Sequence, residues 1–248
     1  VAFDAYYSIK TPALLRKPAN LLQHAEMALE ITDGSFTPEY TRDQLELIRQ
    51  NSDLVLPDAE WGRWTGYPQF FKDQDWNDML IGNGNMQNYN VNISGGGERY
   101  SYMLSLGHQR EEGIPKFGED VNKRYFVRAK SSVEIFKNLT YDLNLAYEAS
   151  NRDYSSGLTE GQNIWELIYK TRSWTPMYNP SGTFYTFEGF DNPAQVLEEG
   201  GMVNKTTGNI TVNNQLRWKV IDGLQLVGQA VIRKYDQDEN VTNKKIIN

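Results

Sequence analysis

Polar and apolar residues alternate with a period of two in seven stretches of this chain, a spacing that sets successive side chains on opposite faces of a β-strand. In the first stretch Val1, Phe3, Ala5, Tyr7 and Ile9 share one face, and Asp4, Tyr6, Ser8 and Lys10 the other. The second sets Tyr89, Val91 and Ile93 against Asn88, Asn90, Asn92 and Ser94. The third, directly after Gly95, Gly96 and Gly97, sets Tyr100, Tyr102, Leu104 and Leu106 against Arg99, Ser101, Met103 and Ser105. The fourth and fifth follow the same rule, with Tyr125, Val127, Ala129, Val133 and Ile135 on one strand and Leu139, Tyr141, Leu143, Leu145 and Tyr147 on the next. In the sixth, Ile210, Val212, Leu216, Trp218 and Val220 oppose Thr211, Asn213, Gln215, Arg217 and Lys219. The seventh follows the turn pair Asp222 and Gly223 and carries Leu224, Leu226, Ala230 and Ile232 opposite Gln225, Gln229 and Arg233, with Val227 and Val231 interrupting its polar face.

These stretches predict strands near residues 1–10, 87–95, 98–109, 123–136, 138–149, 208–221 and 223–235, all within one unit covering 1–248. Their connections separate two all-β architectures. The joins after the second, fourth and sixth strands are a few residues long, whereas those after the first, third and fifth run roughly over residues 11–86, 109–122 and 149–207. Outer-membrane barrels have this asymmetry, with tight periplasmic turns and long external loops, while soluble antiparallel domains keep loops of about 2 to 6 residues on both sides. About ten to twelve residues, at about 3.3 Å rise and about 40° tilt, cover the 25 to 30 Å or so of a membrane's apolar layer. The expectation is an antiparallel transmembrane β-barrel segment with long outer loops containing short helices. The alternative is a soluble carbohydrate-binding β-sandwich whose aromatics form its core. Seven strands do not close a natural single-chain barrel, where counts are even, so the segment reads as a piece of a longer wall. Val1 reads as mid-strand, which implies chain upstream of it.

The loops carry helical spacing of their own. Leu21, Leu22, Ala25, Ala28 and Leu29 recur on one helix face, Thr37 and Pro38 suit a cap leading into Leu45 and Ile48, and Ile164, Trp165 and Ile168 mark another turn of helix.

Composition narrows the function. The mean hydropathy of −0.63 and the lack of an apolar run of about 18 residues exclude a transmembrane helix but not a barrel, in which only alternate residues meet lipid. A net charge of −7 argues against a nucleic-acid partner, and the absence of cysteine removes disulfides, thiolate metal sites and cysteine nucleophiles.

The stretch from Asp75 to about Tyr147 resembles the SusC/RagA-type TonB-dependent outer-membrane transporters. Asp75, Trp76, Asn77 and Asp78 are similar to the family's aspartate-tryptophan block closing the first outer loop, and Asn88 to Gly96 to its asparagine-rich strand ending in serine and glycines. Tyr100 to Gly107 resembles its tyrosine-rich strand. Glu112, Gly113 and Ile114, then Lys123, Arg124, Tyr125 and Arg128, resemble its glycine-isoleucine loop and the opening of the next strand. These motifs cover about a third of the chain in the family's order; Lys130 departs from the asparagine common there, and no motif matches beyond Tyr154. The resemblance implies a barrel of about 22 strands in a bacterial outer membrane, with Val1 to Lys10 as the first strand after a plug. The plug and TonB box themselves are not in this sequence. It further implies import of an oligosaccharide, glycan fragment or peptide, with a SusD-like surface lipoprotein capping the barrel, the TonB complex acting through the plug, and lipid around the wall.

No catalytic or metal-binding constellation is legible, and no cofactor or enzymatic role is expected. His24 and His108, the two histidines, read as solvated or lumen-facing; Glu111 with Glu112 and Glu198 with Glu199 read as solvated loop charges. Five of the six tryptophans lie in long connections. Flat aromatic faces suit sugar rings, peptide side chains or a partner protein, so the candidate substrate- or partner-binding residues are Trp61, Trp64, Trp76, Trp165, Trp174, Tyr178 and Tyr185.

Overall fold

The structure is a computed structural model describing residues 1–13, 19–32, 40–50, 55–56, 59–60, 62–64, 69–70, 74–158, 164–186 and 191–244. Seven strands pair in chain order into one antiparallel sheet: β1 (Ala2–Lys10), β2 (Gly84–Gly97), β3 (Tyr100–Glu112), β4 (Asp120–Phe136), β5 (Leu139–Ser155), β6 (Gly201–Ile221) and β7 (Leu224–Asn243). The sheet is open, with β1 and β7 at its edges. Two-residue turns join β2 to β3, β4 to β5 and β6 to β7, and Gly223 takes a left-handed φ of 86° in the last of them, a conformation that excludes most side chains.

The register converts sequence alternation into two continuous faces. Residues paired across neighbouring strands share a face. Phe3, Val91, Leu106, Val127, Tyr147 and Ile210 therefore form one row, and Ile93, Leu104, Ala129, Leu145, Val212 and Ile232 the row below it. The opposite face carries rows such as Ala2, Asn92, Ser105, Arg128, Ala146 and Thr211. Among the described residues nothing covers the apolar face. Phe3, Tyr125 and Trp218 remain 64%, 49% and 45% exposed, so no second sheet packs against them and the sandwich alternative is overturned.

The strands outrun the lengths that alternation indicates. β6 and β7 have 21 and 20 residues, and beyond Gly208 and Tyr235 their composition turns polar on both faces, through Asn204, Lys205, Thr206 and Thr207 on one and Asp236 to Asn240 on the other. Twenty residues span about 65 Å of strand, about 50 Å along the membrane normal at 40° tilt, roughly twice an apolar layer of about 25 Å. The extension also shrinks the connection between β3 and β4 to residues 113–119, against the expected 109–122.

The buried core lies among the loops. One cluster joins Trp76, Leu80 and Ile81 of the first loop to Ile164, Ile168 and Met177 of the third, with Ile114 and Phe117 of the second packed against it. The other is built on α1 (Leu21–Thr32) and α2 (Arg42–Arg49) with Tyr40, and Trp174 of the third loop fills it. Helix α2 is capped by Thr41, whose side chain accepts from Gln44 N while the Gln44 side chain accepts from the Thr41 N–H. Thr37 and Pro38, expected as a cap ahead of Leu45 and Ile48, lie outside the described residues. Two short helices went unpredicted: α3 (Trp76–Leu80), capped by Asp75, and α5 (Pro193–Glu199), capped by Asn192; α4 (Ile164–Lys170) lies between them.

Candidate functional site

Backbone bonds stitch the three loops into one platform. Gly82 N donates to Ile114 O (2.7 Å) and Lys116 N to Leu80 O (2.8 Å), tying first loop to second; Gln74 N donates to Ser173 O (3.2 Å) and Ser181 N to Gly62 O (2.9 Å), tying first to third. Ser155 Oγ donates to Leu197 O (2.6 Å), fastening the third loop to the end of β5. Of the buried strand residues, Asn88, Tyr154 and Val203 belong to the polar face, with Ser155 at the very end of β5, so the platform lies chiefly over that side of the sheet.

Within the platform the candidate aromatics divide by environment. Trp76, Trp174 and Tyr185 are buried and their rings are packed among neighbours. Trp174 lies 4.4 Å from the His24 ring and 5.9 Å from Tyr40, with the Arg172 guanidinium 5.1 Å over it. Trp165 is half exposed on α4. Trp61 lies outside the described residues. Trp64 and Tyr178 come together: Trp64 Nε1 donates to Tyr178 O (3.0 Å), and Trp64 N donates to Asn179 Oδ1 (3.2 Å). Tyr178 is exposed and stacks on Phe184 at 5.2 Å.

Beside them opens a cleft of about 550 Å³ lined by Arg63, Trp64, Thr183, Phe184, Gln195 and Glu199, among others. It joins a cation, a carboxylate, amide and hydroxyl groups and an aromatic wall, a set able to hydrogen-bond and stack on a polar ligand. Its floor is rigid. Asn192 Nδ2 donates to Met177 O (2.8 Å) and Tyr185 O (3.0 Å) while its Oδ1 accepts from Ala194 N (3.0 Å) at the start of α5. Asn179 Nδ2 donates to Thr183 Oγ1 (3.1 Å) and Phe184 O (3.0 Å). The tryptophan count did not single out Asn179, Asn192, Gln195 or Phe184. Asn192 followed by Pro193, an N-cap ahead of a first-turn proline, is the sequence signal that could have marked Asn192.

The wall's polar face carries its own pairs. Arg217 donates to Asp142 through Nε (2.7 Å) and Nη2 (3.0 Å), and Ser132 Oγ adds a third bond to the same carboxylate (2.7 Å). Arg128 and Lys130, one above the other on β4, line a groove of about 360 Å³ with Asp4, Asn90 and Asn92. His108 is neither solvated nor lumen-facing: it stands on the apolar face between Tyr89 (6.4 Å) and Tyr125 (4.7 Å), because β3 alternates through it. Among the described residues no group of three or more His, Cys, Asp or Glu is placed to hold a metal ion.

No family model matches the chain. It is 29% identical over 124 residues to TonB-dependent receptor P26 of Formosa agariphila, covering 50% of this chain and 11% of that protein. It is 25% identical over 171 residues to TonB-dependent receptor P3 of the same organism, covering 64% and 16%. Its fold matches part of the RagAB peptide importer in the closed-closed state, with a TM-score of 0.71 and 17% identity over 98% of this chain and 28% of that one. A second structure, of the RagAB peptide transporter, matches with a TM-score of 0.69 and 18% identity over 96% and 28%. The chain is similar to TonB-dependent receptors in sequence and to part of RagAB in fold. It spans only a small part of these relatives.

In a SusC/RagA-like wall the apolar face is the one that meets outer-membrane lipid, and the polar face looks into the barrel. The aromatic rows then fall where interfacial girdles belong: Tyr89, His108 and Tyr125 at the loop end of the apolar band, and Tyr100, Tyr141 and Trp218 near the tight turns. The lower girdle is packed onto glycines. A Cβ at Gly95 would sit 2.8 Å from Tyr102 Cζ, and one at Gly97 3.0 Å from Tyr100 Cε1, so each ring lies over the bare backbone of its cross-strand partner.

Proposed function

We propose that this chain supplies wall and outer loops to a TonB-dependent outer-membrane importer of oligosaccharides, glycan fragments or peptides. The observation that carries the reading is a single-layer sheet, apolar on one face and polar on the other, whose long loops pack on one another in two clusters and open an aromatic-lined polar cleft. On this reading 1–248 is part of the barrel, a plug elsewhere in the protein occupies the space facing Arg128 and Lys130, and the TonB complex acts through that plug. A SusD-like lipoprotein closes over the platform. The role is transport, in keeping with relatives named as receptors and importers, and no catalysis is assigned. Trp64, Tyr178 and Trp165, whose rings retain exposed area, are the residues we assign to substrate or lipoprotein contact; Trp76, Trp174 and Tyr185 hold the platform together.

The test uses the intact transporter in its outer membrane, with labelled oligosaccharide and labelled peptide pools. Uptake of one pool that stops when the TonB complex is removed supports the reading. Trp64→Ala or Tyr178→Ala lowers affinity for that pool, or for the capping lipoprotein, by about tenfold, a loss of about 1.4 kcal/mol of contact. TonB-independent uptake of both pools, or unchanged affinities in both variants, counts against it.

A further inference from the structure

The loop-end girdle has a charged course directly above it. On the lipid-facing side the row beyond Tyr89, His108 and Tyr125 places Gln87, Arg110 and Lys123 side by side, about 7 Å further along the strands. Arg110 and Lys123 are register partners, so their Cβ atoms are about 5 Å apart, and like charges directly opposed on a sheet repel. Arg110 is engaged at one corner only, where Nη2 donates to Glu112 (2.7 Å); its Nε has no acceptor. The Lys123 side chain has no ion pair or hydrogen bond among the described residues. The nearby carboxylates are already occupied, Glu112 by Arg110 and Asn85, and Asp153 by Asn204. Lys234, the next cation on this face, is bound by Asp236 (3.0 Å). Glu112 therefore offsets one of the two charges, and the other, on Lys123, is left without a carboxylate at the height where the apolar band ends.

We infer that Arg110 and Lys123 hold a phosphate of an anionic lipid in the outer leaflet, its acyl chains lying on Leu106, Val127, Val91 and Tyr147 below. A planar guanidinium and an ammonium placed side by side can share the oxygens of one phosphate, relieving their mutual repulsion. The aromatic row between charge and apolar surface suits an amphiphile's glycerol or sugar level. The occupant is a lipid, because a free phosphate would use the cations and leave the continuous apolar rows beneath them without a role. A phosphorylated saccharolipid, the class that fills the outer leaflet of such membranes, has the required chemistry. The inference rests on the lipid-facing assignment of this face.

The experiment is native mass spectrometry of the intact transporter in nanodiscs containing bis-phosphorylated lipid A or its dephosphorylated form. The wild type retains the phosphorylated lipid and not the dephosphorylated one. The double variant Arg110→Gln with Lys123→Gln lowers retention at least about tenfold. Arg124→Gln, next in sequence but facing the barrel interior, leaves it unchanged. Equal retention by wild type and double variant, equal retention of both lipids, or displacement of the lipid by inorganic phosphate alone overturns the proposal. Failure of the wild type to enter nanodiscs would instead overturn the lipid-facing assignment itself.

Discussion

Asn192 holds two stretches of the third loop together with a single side chain, donating to two carbonyls and capping α5 from a fully buried position. Asn192→Ala removes the donor but leaves both carbonyls buried, at about 1 to 3 kcal/mol for each unsatisfied group. Amide exchange in the described part of 177–197 should accelerate in the variant, and unchanged protection there would show that the network is dispensable. On the wall, the two faces make opposite forecasts for one substitution. Leu143→Arg carries a charge into lipid and should cost about 2 to 4 kcal/mol near the midplane, while Asn144→Arg, one residue on and facing the interior, should be mild. Urea titration of the intact transporter in lipid vesicles measures both, and equal costs would contradict the assignment of faces.

At the level of elements, what the sequence displays depends on what surrounds each segment. Strands that meet lipid on one side must alternate, so their pairing and facing could be read from Val91, Leu104, Val127, Leu145 and Val212 alone. Where β6 and β7 rise beyond the apolar layer both faces are wet, alternation has no physical cause, and the upper turns of those strands were invisible. His108 misled for a related reason, since an imidazole in an interfacial row of tyrosines looks polar in any one-letter reading. Helices α3 and α5, of 5 and 7 residues, are too short for a 3.6-residue period to declare itself and are specified by their caps. The cleft beside Trp64 was half legible: Trp64 and its neighbour Tyr178 were evident, but Phe184, Arg63, Gln195 and Glu199 reach it only through loop packing. Two substitutions probe these elements. Thr41→Ala removes the capping box of α2 and should cost that helix about 1 kcal/mol, seen as faster exchange of its first-turn amides. Gly118 has a φ of 70°, and a Cβ there would lie 2.3 Å from Leu197 O, so Gly118→Ala should pull the second loop off α5 and make 113–119 cleavable by protease.

Considered whole, the molecule inverts the usual arrangement of a globular domain. Its sheet, whose strands carry most of the regular structure, exposes apolar surface to a lipid solvent, and its buried side chains gather where the chain is least regular. Trp174→Ala tests this directly, since that one ring from the third loop fills the pocket formed by α1, α2 and Tyr40 in the first. Emptying it should cost about 3 to 5 kcal/mol and open α1 and α2 to proteolysis while leaving the wall in the membrane; cleavage confined to the third loop would show that the two are independent. The same ring bears on how such proteins diversify. A crossover that brings in a foreign third loop also removes the keystone of the first, so new ligand preferences on this scaffold should be inherited as whole sets of loops, and chimaeras that trade a single one should misassemble.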